Sequence, residues 1–280
     1  MKKHKMEARS NMDNSVKLFV GCCSNGEDAE SMAVLEYSVR KNSSLPVDIT
    51  WMMQTHDDTS PYYGWSTETW ATPFSGFRWS LPEVCNFEGR AIYCDSDFIW
   101  LSDIAQLWNQ EFEPGKIVMA KGGDNSWRYC SSLWDCEAAK NVMPPLSDIK
   151  KTPTAHQQLM GLFSTNRQFV QAFEGNWNCI DGENLPLDMI DALHYSDMST
   201  QFHLPLAVAR MENTEYKHWF DGEMKPHWRK DLQLEFDRML FDADAGGYKI
   251  ENYIPTGNEL FGEYVKESQA NYRNAHKWSK

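Results

Sequence analysis

The sequence predicts an α/β fold in one domain, on three observations. An apolar segment rich in β-formers, Val16–Cys23, leads into residues with helical spacing and then into a second strand, Val47–Met53. A short buried strand, Arg90–Cys94, runs straight into acidic residues. The chain has 280 residues, 41% of them hydrophobic and 24% charged, which suits one large core.

The elements follow in order. Residues 1–15 are polar and read as a flexible leader. The first strand ends at Ser24-Asn25-Gly26-Glu27, where Ser24 and Glu27 have capping-box spacing. Met32, Leu35 and Val39 then recur at helical spacing through Arg40. Strand, helix and strand in this order imply parallel pairing with a right-handed crossover. Residues 54–72 form a long polar and aromatic loop, a length often tied to function. Phe74–Val84 reads as a short helix, Asp103–Asn109 as another, and Lys116–Lys121 and Ser131–Cys136 as strands. Ala155–Phe163 and Asn166–Phe173 read as helices, and Leu187–Leu193 is an apolar run ending at His194. Arg229–Leu240 is amphipathic, with Leu232, Phe236, Met239 and Leu240 on one side.

Charge and cysteines narrow the function classes. Twenty-seven basic and 40 acidic residues give −13, a poor balance for binding nucleic acid or anchoring to an acidic membrane. No run approaches the roughly 18 apolar residues of a membrane-spanning helix. Seven cysteines, an odd number without a C-x-x-C pair, read as reduced thiols; with no apolar signal segment near Met1 they point to a cytoplasmic protein.

The chemistry concentrates at Tyr93-Cys94-Asp95-Ser96-Asp97. Ligands of open α/β sheets bind beyond the carboxyl ends of strands, and side chains at i and i+2 share a face of extended backbone. Asp95 and Asp97 therefore aim into one crevice, where a hard divalent cation relieves their repulsion. Mg²⁺ or Mn²⁺ suits such oxygen ligands and keeps positions open for phosphate oxygens.

The context of this motif is specific. Arg78 and the Pro82-Glu83 pair precede the strand, D-x-D follows, and Asp103-Ile104-Ala105-Gln106-Leu107 comes after. Over residues 72–108 this resembles the central segment of glycosyltransferase family 8 and its bacterial relatives. The resemblance implies a GT-A fold, a Rossmann-like mixed sheet flanked by helices, over residues 16–280. It also implies a metal-dependent transferase that retains anomeric configuration, using a nucleotide sugar such as a UDP-sugar and an acceptor that is a glycan, lipid or protein.

By the same resemblance Asp95 and Asp97 match the metal-binding carboxylates, with Asp95 also facing the ribose beside Ser96. Arg78 matches a basic residue suited to the diphosphate. Gly21, Cys22 and Ser24, at the end of the first strand, fall where base and ribose would sit. His194, in Leu193-His194-Tyr195-Ser196-Asp197-Met198-Ser199-Thr200-Gln201, matches the third metal ligand, and Gln201 falls near the diphosphate. A rival segment, His218 to Trp228, offers His218 as ligand and Lys225-Pro226 for the diphosphate.

The chain departs from the family at its catalytic residues. His156-Gln157-Gln158 stands where an Asp-Gln pair is expected, leaving Gln157 with its amide. Asp124 and Asp135 are the fallback carboxylates. With no assured nucleophile, front-face attack is preferred over a covalent intermediate. Aromatic residues in Trp65–Trp70 or Trp127–Tyr129 are candidates to stack on sugar rings. Two alternatives stay open: a degenerate, carbohydrate-binding protein of the same fold, and a haloacid-dehalogenase-type phosphatase using the first Asp of D-x-D.

Overall fold

The computed structural model describes residues 15–67, 69–122, 127–214 and 218–256. The leader assigned to residues 1–15 lies outside these, except for Ser15, and so does Asp124.

The strands are β1 (Val16–Gly21), β2 (Val47–Met52), β3 (Arg90–Asp95), β4 (Phe98–Trp100), β5 (Val118–Gly122), β6 (Trp127–Asp135), β7 (Val170–Ala172), β8 (Cys179–Ile180) and β9 (Ala192–His194). The helices are α1 (Ala29–Asn42), α2 (Leu81–Val84), α3 (Ile104–Trp108), α4 (Cys136–Ala139), α5 (Leu146–Lys151), α6 (Ala155–Thr165), α7 (Leu204–Met211) and α8 (Lys230–Ala245). Six strands form a central mixed sheet in the order β2-β1-β3-β6-β5-β7, and β4-β9-β8 form a smaller one. Strands β1 and β2 pair in parallel, as the β-α-β pattern implies, and β6 runs antiparallel between β3 and β5.

Alternation along the strands builds a core on each face of the central sheet. Phe19, Ala91, Tyr93, Val118 and Trp134 face one side with Trp79 and Phe163, whose rings stack at 5.6 Å. Leu18, Val20, Ile92, Cys94 and Leu133 face the other, with Leu35 and Val39 of α1 and Ile104 and Leu107 of α3. Leu232, Phe236 and Met239 of α8 pack with Val34 of α1 and with Ile99 and Leu193 of the small sheet.

Two local expectations change, and two features are added. The helix expected at Asn166–Phe173 is strand β7, because the free edge of β5 supplies parallel backbone partners that local propensity cannot reveal. The capping box does not form: α1 starts at Ala29, and Asp28 turns its carboxylate toward Cys23 N at 2.8 Å and Ser96 Oγ at 2.9 Å. Strand β4, only three residues long, is visible through its antiparallel pairing with β9. The loop 54–72 carries part of the core: Tyr62, Trp65 and Trp70 are buried and meet Phe77 edge-on at 5.2–5.3 Å.

Candidate active site

The carboxyl end of β3 opens into a cleft of about 760 Å³ lined by Arg78, Asp95, Asp97, Cys130, His156 and His194, among others. A larger hollow of about 1100 Å³ at the end of β2 offers Asp57 but no histidine or carboxylate pair, so the chemistry lies in the first.

Asp97 and His194 come together through the small sheet. Phe98 of β4 pairs with His194 of β9, and their rings stack at 4.7 Å. His194 Nε2 lies 3.4 Å from Asp97 Oδ1, a buried oxygen without a hydrogen-bond partner. On the other side of the ring, Nδ1 is 3.2 Å from Asn178 Oδ1, and the Asn178 amide nitrogen is spent on Arg128 O. In the neutral ring this puts the proton on Nδ1 and turns the Nε2 lone pair to Asp97. Burial pulls the His194 pKa down, but the charge and proximity of Asp97, together with the charges of Asp95 and Asp181, outweigh it and the net shift is upward. A positive charge between Asp97 and His194 is what this geometry favours, whether proton or divalent cation. Neighbouring ligand atoms on an octahedral Mg²⁺ lie about 3 Å apart, close to the spacing seen. Asp95, Cys130 and His194 also bring ligating atoms within 4.8 Å of one another. The residues present therefore fit a cation held by Asp97 and His194, with Asp95 beside it.

Asp95 is already engaged. Its Oδ1 accepts from Tyr93 Oη at 2.6 Å and from Arg78 Nη2 at 3.0 Å. Burial raises its pKa, and the Arg78 charge opposes that shift. Arg78 Nε donates to Ser75 O, Nη1 reaches Cys130 Sγ, and the guanidinium lies over the Tyr93 ring. Arg78 thus neutralises Asp95 while also lining the cleft.

Several other expected contacts turn inward. Ser96 Oγ donates to Asp28. Cys22 and Ser24 are buried, and Cys22 packs with Ala29, Met32, Ala33 and Tyr253. Gln201 Nε2 donates to Asp97 Oδ2 at 2.8 Å, so it orients that carboxylate. A Cβ at Gly21 would lie 2.4 Å from Tyr93 Oη and 2.9 Å from Phe74. Gly21→Ala is therefore expected to displace the Tyr93 hydroxyl from Asp95, costing about 1–3 kcal/mol by overpacking; chemical denaturation gives the number.

The fallback carboxylate Asp135 is too far away. It pairs with Arg90 at the opposite end of β3 and caps α4 by accepting from Ala138 N. Gln157 also faces away, bonding Thr69 O through Nε2. Its neighbour His156 lines the cleft instead. The expected Asp-Gln position pointed to this turn of α6, but its facing was set by loop 54–72.

Trp79 Nε1 donates to His156 Nδ1 at 3.0 Å, and burial with the Arg78 charge pushes the His156 pKa down to about 3. A folded pKa below the unfolded 6.5 means stability present above pH 6.5 and lost as pH falls toward 3. Between pH 7 and 5 this group is expected to cost about 2 kcal/mol. Comparing denaturation of the protein with that of His156→Gln at both values isolates this loss from that of other groups.

Both rival segments flank the cleft. Lys225 N donates to Ser199 O at 2.7 Å, joining them, and the exposed Lys225 side chain lies 4.0 Å from Glu223. Trp219, Phe220, Asp221 and Gly222 line the cleft beside Ser196–Ser199, supplying aromatic rings that Trp65 and Trp70 do not. His218 is not at the D-x-D motif; it meets Asp28 and His203. The aromatic wall and Cys130 were missed because nothing in their local pattern distinguishes them from core residues.

The fold and this cleft, at the carboxyl end of β3, define a GT-A-type α/β architecture, and comparison with solved structures gives the same answer. The bifunctional glycosyltransferase WbbM superposes with TM-score 0.53 at 11% identity, covering 81% of this chain and 52% of that one. The galactosyltransferase LgtC, solved with donor and acceptor sugar analogs, gives TM-score 0.51 at 11% identity, covering 90% of this chain and all of that one. GlyE of Streptococcus pneumoniae TIGR4 gives 0.50 at 15% identity, covering 84% of this chain and 65% of that one. No protein-family profile matches the chain. In sequence, Protein CDI of Arabidopsis thaliana is 32% identical over 94 residues; the match covers 32% of this chain and only 35% of the plant protein's length. No helix among the described residues is long and apolar enough to cross a membrane.

Proposed function

We propose that residues 16–280 form a retaining glycosyltransferase resembling family 8, transferring a sugar from a nucleotide-sugar donor to a glycan, lipid or protein acceptor. The observation that carries this reading is the Asp97–His194 pair at the end of β3: an unpartnered buried carboxylate oxygen 3.4 Å from an imidazole nitrogen whose tautomer is set by Asn178. Similarity to glycosyltransferase structures supports it at the level of fold.

Asp97 and His194 would hold Mn²⁺ or Mg²⁺, which supplies Lewis-acid stabilisation of the departing diphosphate. Gln201 and Asn178 keep these ligands in place. Arg78 balances Asp95, so that the two neighbouring carboxylates do not face each other uncompensated. Lys225, exposed and 4.0 Å from Glu223, is the basic side chain we assign to a donor phosphate. Trp219 and Phe220 give the donor an apolar wall that excludes water. Asp135 is remote from the cleft and Gln157 is turned to Thr69. Of the routes to retention we favour front-face attack, with the acceptor entering beside the leaving group.

The experiment is donor hydrolysis. The protein is incubated with Mn²⁺ and a panel of nucleotide sugars, and released nucleoside diphosphate is measured with and without a chelator. Metal-dependent release from a UDP-sugar is the expected result. Absence of release, together with absence of metal-dependent nucleotide binding, overturns the reading in favour of a degenerate carbohydrate-binding protein.

A further inference from the structure

Behind the cleft, three side chains that sugar transfer does not use meet in the interior. Asp28 precedes α1, His203 precedes α7, and His218 opens the segment that lines the cleft. One ligating atom from each lies within 4.8 Å of the others, and their exposures are 4%, 2% and 8%.

Neither nitrogen of His203 has a hydrogen-bond partner; Nε2 lies 3.8 Å from Asp28 Oδ1, beyond hydrogen-bond reach. His218 Nε2 is also unpartnered. Such buried polar atoms are destabilising while they are left unsatisfied. Asp28 is already oriented, because Oδ2 accepts from Cys23 N and Ser96 Oγ. Burial pushes the pKa of both rings down, that of His218 to about 3, so each stays in the neutral form a metal requires.

We propose that Asp28, His203 and His218 form a second metal site, for a divalent transition ion of the zinc type, distinct from the D-x-D cation. Two imidazoles and a carboxylate are the ligand set that favours zinc or cobalt over magnesium. The site also reaches the cleft. Phe220 N donates to His218 Nδ1 at 3.0 Å. Ligation through either ring nitrogen ends that bond: through Nδ1 directly, through Nε2 because the one ring proton then moves to Nδ1. Phe220 and Trp219, which stacks on His218 at 5.8 Å, must readjust. Occupancy of the buried site therefore resets the aromatic wall of the cleft.

The test uses the full chain carrying Asp97→Asn, which removes the first site, titrated with Co²⁺ and Zn²⁺. One equivalent of Co²⁺ with ligand-field bands, and X-ray absorption showing two imidazole nitrogens on Zn²⁺, are expected. Loss of an outer partner alone costs about 10–100-fold in affinity, so adding His203→Gln should cost more than about 100-fold. Circular dichroism shows whether that variant is folded, and the absorption measurement does not depend on it. The proposal is overturned if the Asp97→Asn protein binds neither ion, or binds one without imidazole ligands. It is equally overturned if folded His203→Gln binds unchanged. Failure of the transferase reading leaves a different trace, since Asp97→Asn would then leave metal stoichiometry as in the unsubstituted protein.

Discussion

Asp97→Asn is expected to lower metal-dependent release of nucleoside diphosphate by at least about 10²–10³-fold, the size of effect seen when one preorganised electrostatic contact to a developing charge is removed. The substitution keeps the side-chain shape, and Gln201 can still donate to the remaining amide oxygen, so the fold should persist. Neutralising Asp97 also removes the strongest of the charges that raise the His194 pKa, so the cation loses one ligand and part of the field that attracts it. Donor turnover against Mn²⁺ concentration separates the two effects: a loss cured by excess metal is a binding defect, and an uncured loss is a defect in the transition state. Asn178→Ala should give a smaller fall, about 10–100-fold, because it frees the tautomer of His194 without removing a ligand. An Asp97→Asn protein with undiminished turnover would place the chemistry elsewhere.

Arg78→Met is expected to be the most damaging substitution for stability. The guanidinium is buried, 3.0 Å from Asp95, and all three of its nitrogens are engaged within the protein. Removing it strands a carboxylate in the interior, at about 3–5 kcal/mol. Tyr93 still donates to Asp95, which keeps the cost from being larger. Adding Asp95→Asn to Arg78→Met should recover most of the loss, since the penalty belongs to the uncompensated charge and not to the missing contact. Urea denaturation of the two single variants and the double variant forms the required cycle. A single-variant loss below about 1 kcal/mol would show that water reaches this pair and screens it.

The two effects bear on different parts of one device. Arg78 makes it possible to bury Asp95 at the end of β3. Asp97, two residues on, keeps an oxygen free for His194. If Arg78 instead reached into the cleft for phosphate, Asp95 would carry its charge beside Asp97 with only Tyr93 as donor.

Much of this was written in the sequence, for local reasons. The strands β1, β2 and β3 and helix α1 follow from periodicity, because residues on one face of a strand or helix must share an environment. That placed Asp95 and Asp97 at the carboxyl end of a buried strand. His194 at the end of an apolar run was legible in the same way, and the D-x-D context indicated the GT-A fold that the structure has. What sequence could not supply was partnership between distant residues. Strand β7 exists because the β5 edge is there to pair with it, and β4 because β9 is. Arg78 and Gln201 carry donors suited to a ligand, but tertiary packing spends those donors on Asp95 and Asp97. Gln157 and His156 are neighbours, and only the packing of loop 54–72 against α6 decides which one faces the cleft. His194 and His218 were both candidates in one dimension; in three, pairing with β4 carries His194 beside Asp97, while His218 lies with Asp28 and His203. A sequence determines which side chains carry chemistry, through their type and local spacing; the tertiary structure decides which of them remain unsatisfied by their own protein, and those are free to act on something else.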